Sequence, residues 1–175
     1  MISLIHTLPW FLPGLAITAA VAFAAAGRVA RRVGTETWIA FLMLMSVGGV
    51  LAATLTPVAG QFGDPHLPLG RCDLSRIGPA PLSEYLHLDE AGLNVILLVP
   101  LGLTIGLVGR SAATVRLLVL AAALPPVIEA TQSLLPMFGR GCQSADVVDN
   151  LLGLGIGFAA GVLLSVVRSG RTGRR

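Results

Sequence analysis

Five stretches of this chain are long, apolar and almost free of charge, and they decide what it can become. They cover residues 8–26, 37–58, 91–109, 117–139 and 150–167, and Glu129 is the one charged side chain inside them. A helix needs about 20 apolar residues to cross roughly 30 Å of hydrocarbon. Backbone groups in lipid must be satisfied within the protein, so each run is expected to be helical. Composition agrees: 54% of the 175 residues are hydrophobic and 12% are charged, where a soluble domain carries about 25% charged residues. A chain this short has no core large enough to hide that surplus, so it must face lipid. The sequence predicts an all-α integral membrane bundle of about five transmembrane helices, a single membrane domain over 1–175. Two amino-terminal helices lie in 1–58, and the one long connection is 59–90.

Arginine placement predicts the orientation. Arg28, Arg31 and Arg32 separate the first two runs, Arg110 and Arg116 separate the third and fourth, and Arg168, Arg171, Arg174 and Arg175 follow the fifth. Arg71, Arg76 and Arg140 fall on the other side, which completes the 12 basic residues. Basic residues concentrate in cytoplasmic segments, so the amino terminus is expected outside and the carboxyl terminus in the cytoplasm. The predicted location is the cell membrane, as a multi-pass protein whose first partner is the bilayer. A net charge of +3 placed beside apolar runs does not make a phosphate-binding face, and no zinc-finger, helix-turn-helix or RNA-binding spacing is present. No nucleic-acid partner is expected. Ala24, Ala25 and Ala26 resemble a signal-peptide cleavage site, but no Lys or Arg precedes the first run and three arginines follow it. A signal peptide has the reverse order, so the run is read as a retained helix.

The 59–90 connection is acidic and rich in Pro and Gly, hence mostly irregular. Within it, residues 82–88 suit a short interfacial helix with Tyr85 at headgroup level. Cys72 in this connection and Cys142 after the fourth run are the only cysteines. Both are expected on the oxidising side, where they either form a disulfide that clamps the loop over the fourth span or remain two free thiols.

Several polar side chains stand where lipid makes them costly. Glu129 would lose about 2.5 kcal/mol or more at mid-membrane as an isolated charge, so it must face the bundle interior. Gln132 lies one turn on and shares its face. Pro125 and Pro126 just before them remove two backbone donors and predict a kink, which either opens a cavity beside Glu129 or only shapes packing; Pro100 invites the same reading. Asp146 and Asn150 stack four residues apart at the head of the fifth run. Asp149 heads the row Gly153, Gly157, Gly161, which permits close helix approach. Asn94 opens the third run at the same level. Arg140 is the expected counter-ion for Glu129, Asp146 or Asp149. His87, Glu84 and Asp89 either reach the rim of this group or are ordinary loop residues. Their spacing matches no ligand motif, so no metal and no cofactor are expected.

The order of these residues resembles the VanZ-like family. Asn94, Pro100 and Gly102 in NVILLVPLG match its N-x-x-x-F-x-P-x-G, with Leu98 where an aromatic is expected. Glu129 and Gln132 match its E-x-x-Q. Arg140 followed by Asp146, Asn150 and Gly153 matches its R…D-x-x-x-N-x-x-G block. The resemblance covers about residues 88–165 and has the style of an actinobacterial member. It implies a cell-envelope protein connected with resistance to the lipoglycopeptide teicoplanin, without assigning a reaction.

Two functions follow as expectations. One is binding or modification of an envelope lipid or lipoglycopeptide at an outer-facing polar pocket made of Asn94, Gln132, Arg140, Asp146 and Asn150. The other is a membrane-embedded hydrolase or transferase on a lipid-linked substrate, with Glu129 as general base and Asp149 as its partner. Against both stands a purely structural role in holding helices together.

Overall fold

The computed structural model describes residues 8–57, 59, 72–86, 89–135 and 140–172. They form α1 (Phe11–Val33), α2 (Thr37–Thr54), β1 (Cys72–Asp73), α3 (Leu82–Leu86), α4 (Glu90–Leu107), α5 (Ala112–Leu134), β2 (Cys142–Gln143) and α6 (Ser144–Thr172). Five of these helices are long and apolar enough to cross a membrane, and they coincide with the five apolar runs.

The helix ends differ from the edges of the apolar runs, and local chemistry explains each case. Helix α1 carries Arg28, Arg31 and Arg32 within its last turns and stops at Gly34, whose φ of 76° lets its N–H return to the Ala30 carbonyl at 2.9 Å. Cationic side chains there complement the negative end of the helix dipole. Helix α2 stops at Thr54, short of Pro57, because proline disfavours helical geometry in the residue before it. Asp89 caps α4 by accepting the Gly92 N–H at 3.3 Å, and Ser111 caps α5 by accepting the Thr114 N–H at 3.1 Å. Helix α6 begins at Ser144, so Asp146 and Asp149 lie inside its first two turns rather than ahead of it.

Helix α4 is the central element. Its membrane window is 44% buried, against 11% for α1 at the edge of the bundle. Leu98, Leu101 and Ile105 of α4 are almost fully buried and share a core with Met43, Val50, Ala121, Ile128 and Leu154. Leu98 thus occupies a packing position, where an aliphatic side chain serves in place of an aromatic.

The closest packing joins α4 to α6. A Cβ built on Gly153, Gly157 or Gly161 would overlap the carbonyl oxygens of Val95, Val99 and Leu103 in turn. In the opposite sense, a Cβ on Gly102 or Gly106 would strike the α6 backbone at Leu154 and Phe158. Paired positions rise together along both chains, so the two helices run parallel, with carbonyl oxygens set against glycine Cα–H groups. Pro125 and Pro126 lie within α5, which continues unbroken as one helix of 23 residues. Pro125 is buried and Pro126 exposed, and Pro100 faces outward from α4.

Candidate functional site at the Cys72–Cys142 end of the bundle

The stretch from Cys72 to Leu86 folds over the starts of α4 and α6. Cys72 and Cys142 are joined in a disulfide, with Cα atoms 4.5 Å apart, and β1 pairs in parallel with β2 in the register Cys72↔Cys142, Asp73↔Gln143. Ser144 at the head of α6 donates its hydroxyl to the carbonyls of Arg76 (2.7 Å) and Asp73 (3.2 Å). Asp73 accepts the Ser75 N–H at 2.8 Å, and these bonds from Ser75 hold its carboxyl below the usual range. The segment 82–88 was expected to lie at headgroup level; its helix, α3, spans Leu82–Leu86, and His87 lies outside the described residues.

This arrangement delivers two side chains onto Asp149. Arg76 grips the carboxylate with both guanidinium nitrogens, Nη1 lying 3.2 Å from Oδ1 and Nη2 meeting Oδ2. The Tyr85 hydroxyl donates to Oδ1 at 2.7 Å and accepts the Ala80 N–H at 2.7 Å, so Tyr85 ties α3 to α6. Asp149 itself is fully buried. The bond to Asp149 pushes the Arg76 guanidinium up from its ordinary value, and burial followed by the same carboxylate pushes the Tyr85 phenol up.

A second group closes the end of α2. The last carbonyls of a helix have no partner within it. Gln132 Nε2 donates to the Thr54 carbonyl at 2.9 Å, and Arg140 Nη2 donates to the Ala53 carbonyl at 2.8 Å. Of the three carboxylates for which Arg140 was the expected counter-ion, Asp149 takes a different arginine. Arg76 holds Asp149, while Arg140 spends its hydrogen bond on α2 and acts on Glu129 and Asp146 only through space. The reason is reach: the disulfide brings Arg76 down on Asp149, whereas Arg140 sits beside a helix end that lacks donors. Burial lowers the Arg140 guanidinium from its ordinary value, and its Nε is buried with no hydrogen-bond partner among the described residues. Glu129, also buried, accepts the Gln143 N–H at 2.8 Å and thereby holds β2.

Asp146 stands between the two groups, within electrostatic reach of Glu129 and Arg140 on one side and of Asp149, Arg76 and Glu90 on the other. The Asn94 amide of α4 faces its carboxylate. Asn150 donates to the Asp146 carbonyl at 2.8 Å, and its Oδ1 is buried with no hydrogen-bond partner among the described residues. Beside Asp146 a cleft of about 410 Å³ opens to the exterior, lined by Arg76, Glu84, Asp89, Glu90, Gln143 and Asp146 among others. Glu129, Gln132, Arg140 and Asn150 do not line it. Among the described residues no three His, Cys, Asp or Glu side chains are placed to hold a metal ion.

The structure gathers the residues that the sequence singled out at one end of the bundle, and adds Arg76 and Tyr85, which sequence reasoning did not place there. The signal was present in the cysteines. Arg76 lies four residues after Cys72 and Asp149 seven after Cys142, so a bridge between the cysteines places the two charges side by side.

No curated protein and no solved structure matches the chain. A family profile described as VanZ/LLP1 matches residues 68–165, which include the disulfide, the Arg76–Asp149 pair and the α4–α6 interface. That span is more than half of the 175 residues, and this multi-pass membrane protein belongs to the VanZ/LLP1 family.

Proposed function

We propose that the protein binds an envelope lipid or lipoglycopeptide by its polar part in the cleft beside Asp146, and through that binding contributes to teicoplanin tolerance. The observation that carries this reading is the composition of the cleft. Glu84, Asp89, Glu90 and Asp146 line it, while the charge of its one lining arginine, Arg76, is already matched by Asp149. Such a surface favours amino and hydroxyl groups over phosphate. Leu82, Leu86 and Leu93 are exposed close by in the chain, on α3 and the first turn of α4, and offer an apolar surface to an acyl chain. Asn94 supports the Asp146 carboxylate from α4. Gln132, Arg140 and Glu129 act in this reading as the frame: they fix the end of α2 and β2, and Glu129 is not given the role of general base because its carboxylate is turned to the Gln143 N–H.

The test is teicoplanin and vancomycin susceptibility in a strain lacking the protein, complemented with wild type or Asp146→Asn, with membrane protein level quantified. The expected result is raised teicoplanin tolerance with wild type and loss of that gain in Asp146→Asn at equal protein level. Wild type that leaves susceptibility unchanged at normal level overturns the resistance reading. A fully active Asp146→Asn overturns the cleft.

A further inference from the structure

The opposite end of the bundle holds a larger cleft, of about 800 Å³, between the start of α2, the end of α4 and the last turns of α6. Its size lies within the roughly 300–1,000 Å³ of ordinary ligand sites. Thr35, Glu36, Arg110, Ser165, Arg168 and Ser169 supply its polar lining. Ile39, Leu107 and Val162 supply apolar walls.

Charge selects the occupant. By sequence, nine of the 12 arginines fall in the segments that flank the spans on this side, and Glu36 is the one acidic residue of those segments. Arg168 is held in place by Glu36 at 2.8 Å and lies 5.4 Å from the centre of the Trp38 ring. Arg110 is exposed at the corner after Gly109 and has no partner among the described residues. Glu36, at the N-cap of α2, turns its carboxylate to Arg168 and the Trp38 indole instead of the first N–H groups of the helix, and offsets one of the two lining arginines. A basic, hydroxyl-bearing floor with apolar walls at the boundary of a membrane span has the chemistry to take a phosphate diester that carries an acyl chain.

We propose that this cleft binds the phosphate-bearing headgroup of an anionic phospholipid, with Arg110 meeting the phosphate, the guanidinium that Arg168 shares with Glu36 lying beside it, and Thr35, Ser165 and Ser169 meeting its hydroxyl groups. The site is separate from the outer cleft and does not rest on the resistance reading.

The test uses the full chain in detergent with added phosphatidylglycerol or phosphatidylcholine, and lipid retention is read by native mass spectrometry. Wild type is expected to retain phosphatidylglycerol preferentially. Arg110→Ala is expected to weaken retention roughly fivefold, Arg110→Lys to restore most of it, and Ser165→Leu to remove it by filling the cleft. Arg31→Ala, at the same end but outside the cleft, is expected to leave retention unchanged. Equal retention of the two lipids overturns the proposal, as does phosphatidylglycerol retention that survives both cleft variants. An Arg31→Ala loss equal to that of Arg110→Ala also overturns it, in favour of diffuse surface charge. Displacement of the lipid by an equal concentration of glycerol 1-phosphate overturns the lipid assignment in favour of a soluble phosphate.

Discussion

Asp149 is fully buried, and its charge is tolerated because three donor groups meet it: two guanidinium nitrogens and one phenol. Removing one partner of a buried pair leaves the other uncompensated, at a cost of about 3–5 kcal/mol. Arg76→Ala is therefore expected to lower thermal stability by that order, measured on purified protein in detergent. Arg76→Lys is expected to recover only part of the loss, because an ammonium lacks the planar two-nitrogen grip. An Arg76→Ala protein as stable as wild type would show that the pair contributes nothing net. At this scale the sequence was half readable. Burial of Asp149 followed from its place at the head of a glycine row, but its partner lay 73 residues away across an irregular loop. Proximity along the chain pointed to Arg140 instead, and the unfilled carbonyls at the end of α2 claimed that side chain.

Among elements, the α4–α6 pair shows what hydropathy can and cannot report. All five spans were readable because lipid imposes one requirement on every residue facing it. Their ends were less readable, since a helix does not stop where charge begins. It stops at a breaker or a cap, as α1 does at Gly34 and α4 starts after Asp89. The glycine row was readable as a contact face, but its partner needed the structure, which sets Gly157 against the Val99 carbonyl. Gly157→Ala must push that backbone aside, at a cost of about 1–3 kcal/mol. Gly155→Ala, two residues away with nothing within 4 Å of the added methyl, is the matched control. Thermal unfolding should separate them: a lowered midpoint for Gly157→Ala and little change for Gly155→Ala. Equal midpoints would show that the interface gives way without cost.

For the whole molecule, orientation is an expectation on which two arguments bear. Arginine placement predicts the carboxyl terminus in the cytoplasm. The disulfide joins the two segments that flank α4 and α5, so both lie on one face, and bridges persist on the oxidising side. A carboxyl-terminal green fluorescent protein fusion is accordingly expected to fluoresce and an alkaline phosphatase fusion at the same point to be inactive. The opposite pattern would reverse both clefts. The bridge also imposes an order of events on biogenesis. Cys142 emerges 70 residues after Cys72, beyond two further spans, so the loop bearing Arg76 must wait across the membrane while α4 and α5 are made and inserted. The clasp that sets Arg76 against Asp149 can close only once the second of its two cysteines has been made.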